Sequence, residues 1–104
     1  MSNHQSHSAI VVGSGPNGLA AAIVLARSGW SVQVREARET PGGGVCSAEL
    51  TLPGFVHDVS STVYPLGVAS PFLRTLELAN YGLEWVHPPV PLAHPLEDGT
   101  VVLL

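Results

Sequence analysis

Apolar and polar positions fall into blocks along this chain, and each block has its own period. Ala9-Ile-Val-Val12 is an unbroken apolar run rich in β-branched side chains. Such a run suits a strand buried on both faces of a parallel sheet. A turn, Gly13-Ser14-Gly15-Pro16-Asn17-Gly18, follows at once. Pro16 suits the first turn of a helix, where a backbone N–H would have no partner within the helix. The pattern predicts a helix over 17–28. Its body, Leu19-Ala-Ala-Ala-Ile-Val-Leu-Ala26, has almost no polar face, so it should be covered by other parts of the protein. Gly29 supplies the C-terminal stop. Ser31-Val-Gln-Val-Arg35 then alternates polar and apolar, which reads as a second strand. Strand, glycine turn, helix and strand make a βαβ unit, with parallel strands and a right-handed crossover.

After this unit the pattern changes. Thr40-Pro-Gly-Gly-Gly44 reads as a loop. Two short strands are expected over 48–52 and 55–59, around Pro53-Gly54. Ser70-Pro71 suits the cap and first turn of a short helix over 71–80. A further strand is expected over 83–86. Four prolines between His87 and Pro95 exclude a regular helix there. Residues 92–96 and 100–104 read as a hairpin turned at Asp98-Gly99. Residues 1–8 are polar and read as a flexible tail. No internal repeat or domain boundary is visible. The final apolar strand runs up to Leu104 without a second neighbour, which points to a domain completed by a missing C-terminal region or by another chain.

Composition narrows the function classes. The 104 residues suffice for one domain, with 45% hydrophobic and 12% charged residues, as in a folded chain. The net charge is -4, lysine is absent, and the basic residues are Arg27, Arg35, Arg38 and Arg74. That distribution excludes a footprint for nucleic acid or an anionic membrane. No apolar run is long enough for a membrane span, since Arg27 closes the longest. The polar start lacks arginine and is not a targeting signal. A single cysteine, Cys46, excludes an internal disulfide and suits a reducing, cytoplasmic setting.

The glycine turn carries the chemistry. In G-x-G-x-x-G, Gly13 permits the tight exit from the strand, and Gly15 lets a pyrophosphate approach the backbone. Gly18 lets the helix pack close to the strand. The helix N-terminus offers unpaired N–H groups and partial positive charge, which explains how a site without lysine can hold phosphates. Ser14 and Asn17 are candidate minor phosphate contacts. Glu36 ends the second strand, where a carboxylate can accept hydrogen bonds from ribose hydroxyls and repel a 2′-phosphate. A glycine loop and hairpin after Glu36, in place of another βα unit, favour FAD over NAD. Other candidates have plainer readings. Cys46 has no C-x-x-C partner and reads as small filler. His57 and Asp58 are strand neighbours facing opposite sides, so they do not form an acid–base pair. His4, His7, His87 and His94 lack ligand spacing, so no metal site is expected. Trp30 and Trp85 read as packing residues.

From Ala9 onward, over nearly the whole chain, the sequence resembles FAD-dependent oxidoreductases of the phytoene desaturase and amine oxidase superfamily, in the phytoene-dehydrogenase-like branch. The resemblance rests on Glu36 followed by Gly42-Gly43, on Gly54-Phe-Val-His-Asp-Val-Ser-Ser-Thr62, and on Pro65-Leu-Gly, Ser70-Pro-Phe and His94-Pro-Leu-Glu-Asp-Gly99. It implies an α/β fold: a Rossmann-like dinucleotide-binding unit followed by short strands and a short helix, forming over 9–104 the N-terminal part of an FAD-binding domain. It implies FAD as cofactor, with Gly13 to Gly18 at the pyrophosphate, Glu36 at the adenosine ribose, Arg38 along the phosphates or adenosine, and Ala37 among the cofactor-binding residues. Gly42, Gly43 and Gly44 belong to the same set of cofactor-binding residues. Many members place an arginine where Gly44 stands, so charge neutralisation here falls to backbone amides. Members of the superfamily run to several hundred residues, and their C-terminal part surrounds the flavin and carries the substrate domain. The expected function is therefore the ADP-binding portion of a flavin-dependent oxidoreductase, with no catalytic side chain assigned. The alternative is a small FAD- or NAD-binding subunit completed by another chain and without activity of its own.

Overall fold

A computed structural model of the chain describes residues 7–103. The chain divides into two compact units, Met1–Val63 and Tyr64–Leu104. In the first, strand β1 (Ser8–Val12) leads through the glycine turn into helix α1 (Pro16–Arg27) and on to strand β2 (Ser31–Arg35). The two strands are parallel, with Ser8 opposite Ser31 and Val12 opposite Arg35. Gly13 extends the ladder by donating its N–H to the Arg35 carbonyl at 2.7 Å. This is the expected βαβ order. The strand begins at Ser8, inside the expected tail, and the His7 carbonyl accepts from the Ser31 N–H at 2.9 Å. The His7 ring stacks on Trp30, with centroids 4.9 Å apart. Residues 1–6 of the expected tail, His4 among them, lie outside the described residues.

Burial departs from expectation. Ile10 is 65% exposed and Val12 85% exposed, and in α1 only Ala22 is buried. Within the first unit the two-stranded sheet has one helix, α1, packed against it. The expected double-sided burial of β1, and the expected cover over α1, are therefore not met.

Strands β3 (Ser47–Glu49) and β4 (Val56–Asp58) pair antiparallel, shorter than the expected 48–52 and 55–59. Between them Phe55 N–H closes a turn on the Leu52 carbonyl at 3.1 Å, with Gly54 at φ 86°.

The second unit begins with α2 (Pro65–Ala69), which the sequence did not announce, and continues into α3 (Pro71–Arg74). Gly67 disguised α2, because glycine lowers helix propensity. Its missing Cβ is occupied by packing: a Cβ there would lie 3.0 Å from the Trp85 ring. Ser70 caps α3 by accepting from the Leu73 N–H at 3.2 Å, as expected. The expected helix over 71–80 ends early because Glu77 takes a left-handed φ of 49°, after which Leu78–Tyr81 form a 3-10 turn. The expected strand over 83–86 is absent. Gly82 reverses the chain at φ 90°, and the Leu83 N–H is consumed by the Leu78 carbonyl at 3.1 Å. The hairpin forms as expected from β5 (Ala93–Pro95) and β6 (Val101–Leu103). Leu104, the end of the expected strand, lies outside the described residues. Among the described residues, no helix is long and apolar enough to cross a membrane.

Candidate functional site

The expected site residues all belong to the first unit, and the fold gathers three separated segments there. The first is the glycine turn. Gly13 sits at φ 91°, a conformation that favours glycine. A Cβ on Gly18 would lie 2.2 Å from the Gly13 carbonyl oxygen, so the start of α1 rests directly on the turn. Gly15 caps α1 with no side-chain hydrogen bond, Pro16 occupies the first turn, and no acidic residue stands there. The N–H groups of Asn17 and Gly18 precede the first i→i−4 bond, which Leu19 donates to Gly15 at 3.0 Å. The positive end of α1 thus carries no anionic side chain of its own.

The second segment is Glu36-Ala37-Arg38 at the end of β2. Glu36 Oε2 accepts from the Ser14 N–H at 2.8 Å and from the Ser14 hydroxyl at 2.5 Å. Its Oε1 accepts from the backbone N–H groups of Ala37 at 2.8 Å and Arg38 at 2.9 Å. The carboxylate therefore ties the first turn to the end of the second strand. Its pKa is lowered from 4.5 to about 2, first by the Ser14 hydroxyl and then by the Arg38 and Ser14 backbone donors.

That depression has a sign. A carboxylate held below its ordinary pKa contributes stability that is fully present above that value and is lost as pH falls towards the folded one. Denaturant melts should therefore show stability falling between about pH 4.5 and pH 2. Glu36→Gln should flatten that acid limb. An unchanged limb in the variant would place the acid sensitivity on other carboxylates.

The third segment is the loop at Gly42, Gly43 and Gly44. The Gly42 N–H donates to the Ser14 carbonyl at 3.1 Å, and a Cβ on Gly43 would meet the Gly15 Cα at 3.0 Å. Backbone thus lies against backbone where the two glycine segments meet. Gly42 has φ 124°, and a Cβ there would fall 2.4 Å from the Val45 carbonyl oxygen. The Ser60 hydroxyl donates to the Gly44 carbonyl at 3.0 Å, a support that sequence reading missed because Ser60 stands 16 positions away. Arg38 reaches the Gly43 carbonyl only at 3.5 Å.

One sequence candidate, Ser14, is placed differently from expectation. The Ser14 hydroxyl, expected towards phosphate, is turned to Glu36, and Ser14 is 3% exposed. His57 and Asp58 engage different partners, as expected for strand neighbours: His57 Nε2 lies 2.9 Å from the Thr51 hydroxyl, and Asp58 accepts from Ser47 at 3.2 Å. No cluster of His, Cys, Asp and Glu side chains that could hold a metal ion occurs among the described residues.

A parallel βαβ unit, a glycine turn under an uncapped helix N-terminus and an acidic residue ending the second strand define a dinucleotide-binding class of domain. The model of the NAD(P)-binding Rossmann-like domain matches residues 11–77, and the chain belongs to that family. It is 37% identical over 97 residues to the pyridine nucleotide-disulfide oxidoreductase domain-containing protein 2 of Mus musculus, covering 91% of this chain and 16% of the relative. It is 44% identical over 59 residues to the zeta-carotene-forming phytoene desaturase of Myxococcus xanthus, covering 57% and 11%. Among solved structures, an engineered putrescine oxidase superposes with a TM-score of 0.60 at 32% identity, covering 95% of this chain and 21% of that one. Both sides of the expected resemblance, desaturase and amine oxidase, are represented. The chain spans about a fifth or less of the length of each.

Proposed function

We propose that this chain binds the ADP portion of FAD within a flavin-dependent oxidoreductase. The observation that carries the reading is the meeting of the Gly13–Gly18 turn, the Glu36 carboxylate and the Gly42–Gly44 loop at the open N-terminus of α1. The cradle fits a pyrophosphate because side chains are missing where the backbones approach and N–H donors are present. Glu36 takes the adenosine ribose, and its fixed negative charge disfavours a 2′-phosphate. Asn17 and the backbone at Gly15 and Gly18 take the phosphates, with Arg38 beside them.

FAD supplies the redox chemistry when bound, and the chain's own residues bind and orient it. Likeness to desaturases and to putrescine oxidase supports FAD over NAD and a substrate oxidised at a C–C or C–N bond. The flavin end is completed by polypeptide outside these residues. The exposed Ile10 and Val12 on β1 support that reading, and the large share of each relative beyond the match agrees with it. A cytoplasmic setting, suited to the lone Cys46, is part of the same proposal.

Calorimetric titration with ADP, FAD, NAD and NADP tests it. ADP and FAD should bind with affinities within about two-fold of each other, because only the shared ADP end is contacted, while NADP should bind more weakly. NAD binding more tightly than FAD would overturn the assignment.

A further inference from the structure

Every acceptor position of Glu36 is already taken. An ionised carboxylate offers about four lone-pair sites on its two oxygens. Here Oε1 holds the Ala37 and Arg38 N–H groups, and Oε2 holds the N–H and the hydroxyl of Ser14. Three of these donors are backbone groups fixed by the turn and by the end of β2. The fourth, the Ser14 hydroxyl, swings about a single side-chain torsion. A ribose hydroxyl that donates to Glu36 therefore has one replaceable competitor.

We propose that the Ser14 hydroxyl is a displaceable donor that competes with the ribose for Glu36, so that Ser14 sets the strength of ribose recognition. This rests on the ADP-binding reading above. Ser14 is a positioning residue: it acts through Glu36. When ribose binds, the Ser14 hydroxyl loses its partner in a buried position, and that loss offsets part of the new contact. While the site holds no ribose, the same hydroxyl keeps the carboxylate ionised and aligned. The arrangement exchanges affinity for a preset Glu36.

The test is calorimetric titration of the full chain, Ser14→Ala and Ser14→Cys with ADP and with 2′,3′-dideoxy-ADP. Ser14→Ala should bind ADP about three- to ten-fold more tightly than the parent, with dideoxy-ADP unchanged. Ser14→Cys keeps the side-chain size with a weaker donor and should fall between the two, and it stands in for the alanine variant if that fails to fold. Equal or weaker ADP binding by both variants, or an equal change for ADP and dideoxy-ADP, would overturn the inference. The parent chain separates this failure from failure of the underlying reading. If the parent takes ADP and dideoxy-ADP alike, the ribose role of Glu36 falls and this inference falls with it. If the parent needs the ribose hydroxyls and neither variant gains, this inference alone falls.

Discussion

Gly18→Ala should weaken ADP binding about a hundred-fold and destabilise the first unit. The added Cβ would lie 2.2 Å from the Gly13 carbonyl oxygen and 3.3 Å from its carbon. Neither atom belongs to a flexible side chain. Gly13 has little room to retreat, because its N–H is held by Arg35 at 2.7 Å and its φ is 91°. Relief must come from lifting the start of α1 off the turn. Overpacking of this kind costs about 1–3 kcal/mol, a large share of the roughly 5–15 kcal/mol that holds a typical domain together. Moving the helix N-terminus by about 1 Å also misplaces its N–H donors, and affinity should fall about a hundred-fold. Gly29→Ala is the control. Gly29 also has a positive φ, 85°, but a Cβ there meets nothing within 4 Å. Its cost should be the left-handed backbone alone, about 1–2 kcal/mol, with ADP affinity retained. Chemical denaturation and calorimetry on both variants check the pair. Equal ADP binding by Gly18→Ala and Gly29→Ala would remove the glycine turn from the site.

Glu36→Gln should weaken ADP binding by about ten-fold or more, and dideoxy-ADP binding by less than that. The change removes the charge, and it also replaces one acceptor oxygen with an NH₂ group. In either orientation that group faces backbone donors, the Ser14 N–H on one side or the Ala37 and Arg38 N–H groups on the other. Two donors in opposition leave both without a partner. The Gln side chain must then rotate away, which loses the ribose contact and unties the turn from the end of β2. The variant should also accept NADP better relative to NAD, since the repulsion of the 2′-phosphate is gone. Titration with the four nucleotides checks both effects. An unchanged ADP affinity would show that Glu36 is a structural tie and no ribose ligand.

The βαβ unit was legible because each of its devices is local. A β-branched run, glycines at fixed offsets and an alternating strand need no knowledge of the rest of the chain. Glu36 and Gly42-Gly43 were legible by their spacing from that unit. What was hidden depends on distance along the sequence or on company. The Ser14 hydroxyl bonds a side chain 22 positions away, and nothing near Ser14 announces it. Ser60 supports Gly44 in the same unannounced way. Helix α2 was masked by Gly67, whose helical cost is offset by the packing of Trp85 against it. The helix over 71–80 was overextended because Glu77, an ordinary residue by composition, turns left-handed. Burial of β1 was misjudged for a different reason. An apolar run shows that a strand suits the interior, and it does not say which segment lies against it.

Amide chemical-shift mapping of the ¹⁵N-labelled chain during titration with ADP tests the central claim most directly. ADP should give a saturable response concentrated on the N–H groups of Gly13 to Gly15, Asn17, Gly18, Glu36 to Arg38 and Gly42 to Gly44. Saturable shifts located elsewhere, or none at millimolar ADP, would contradict it.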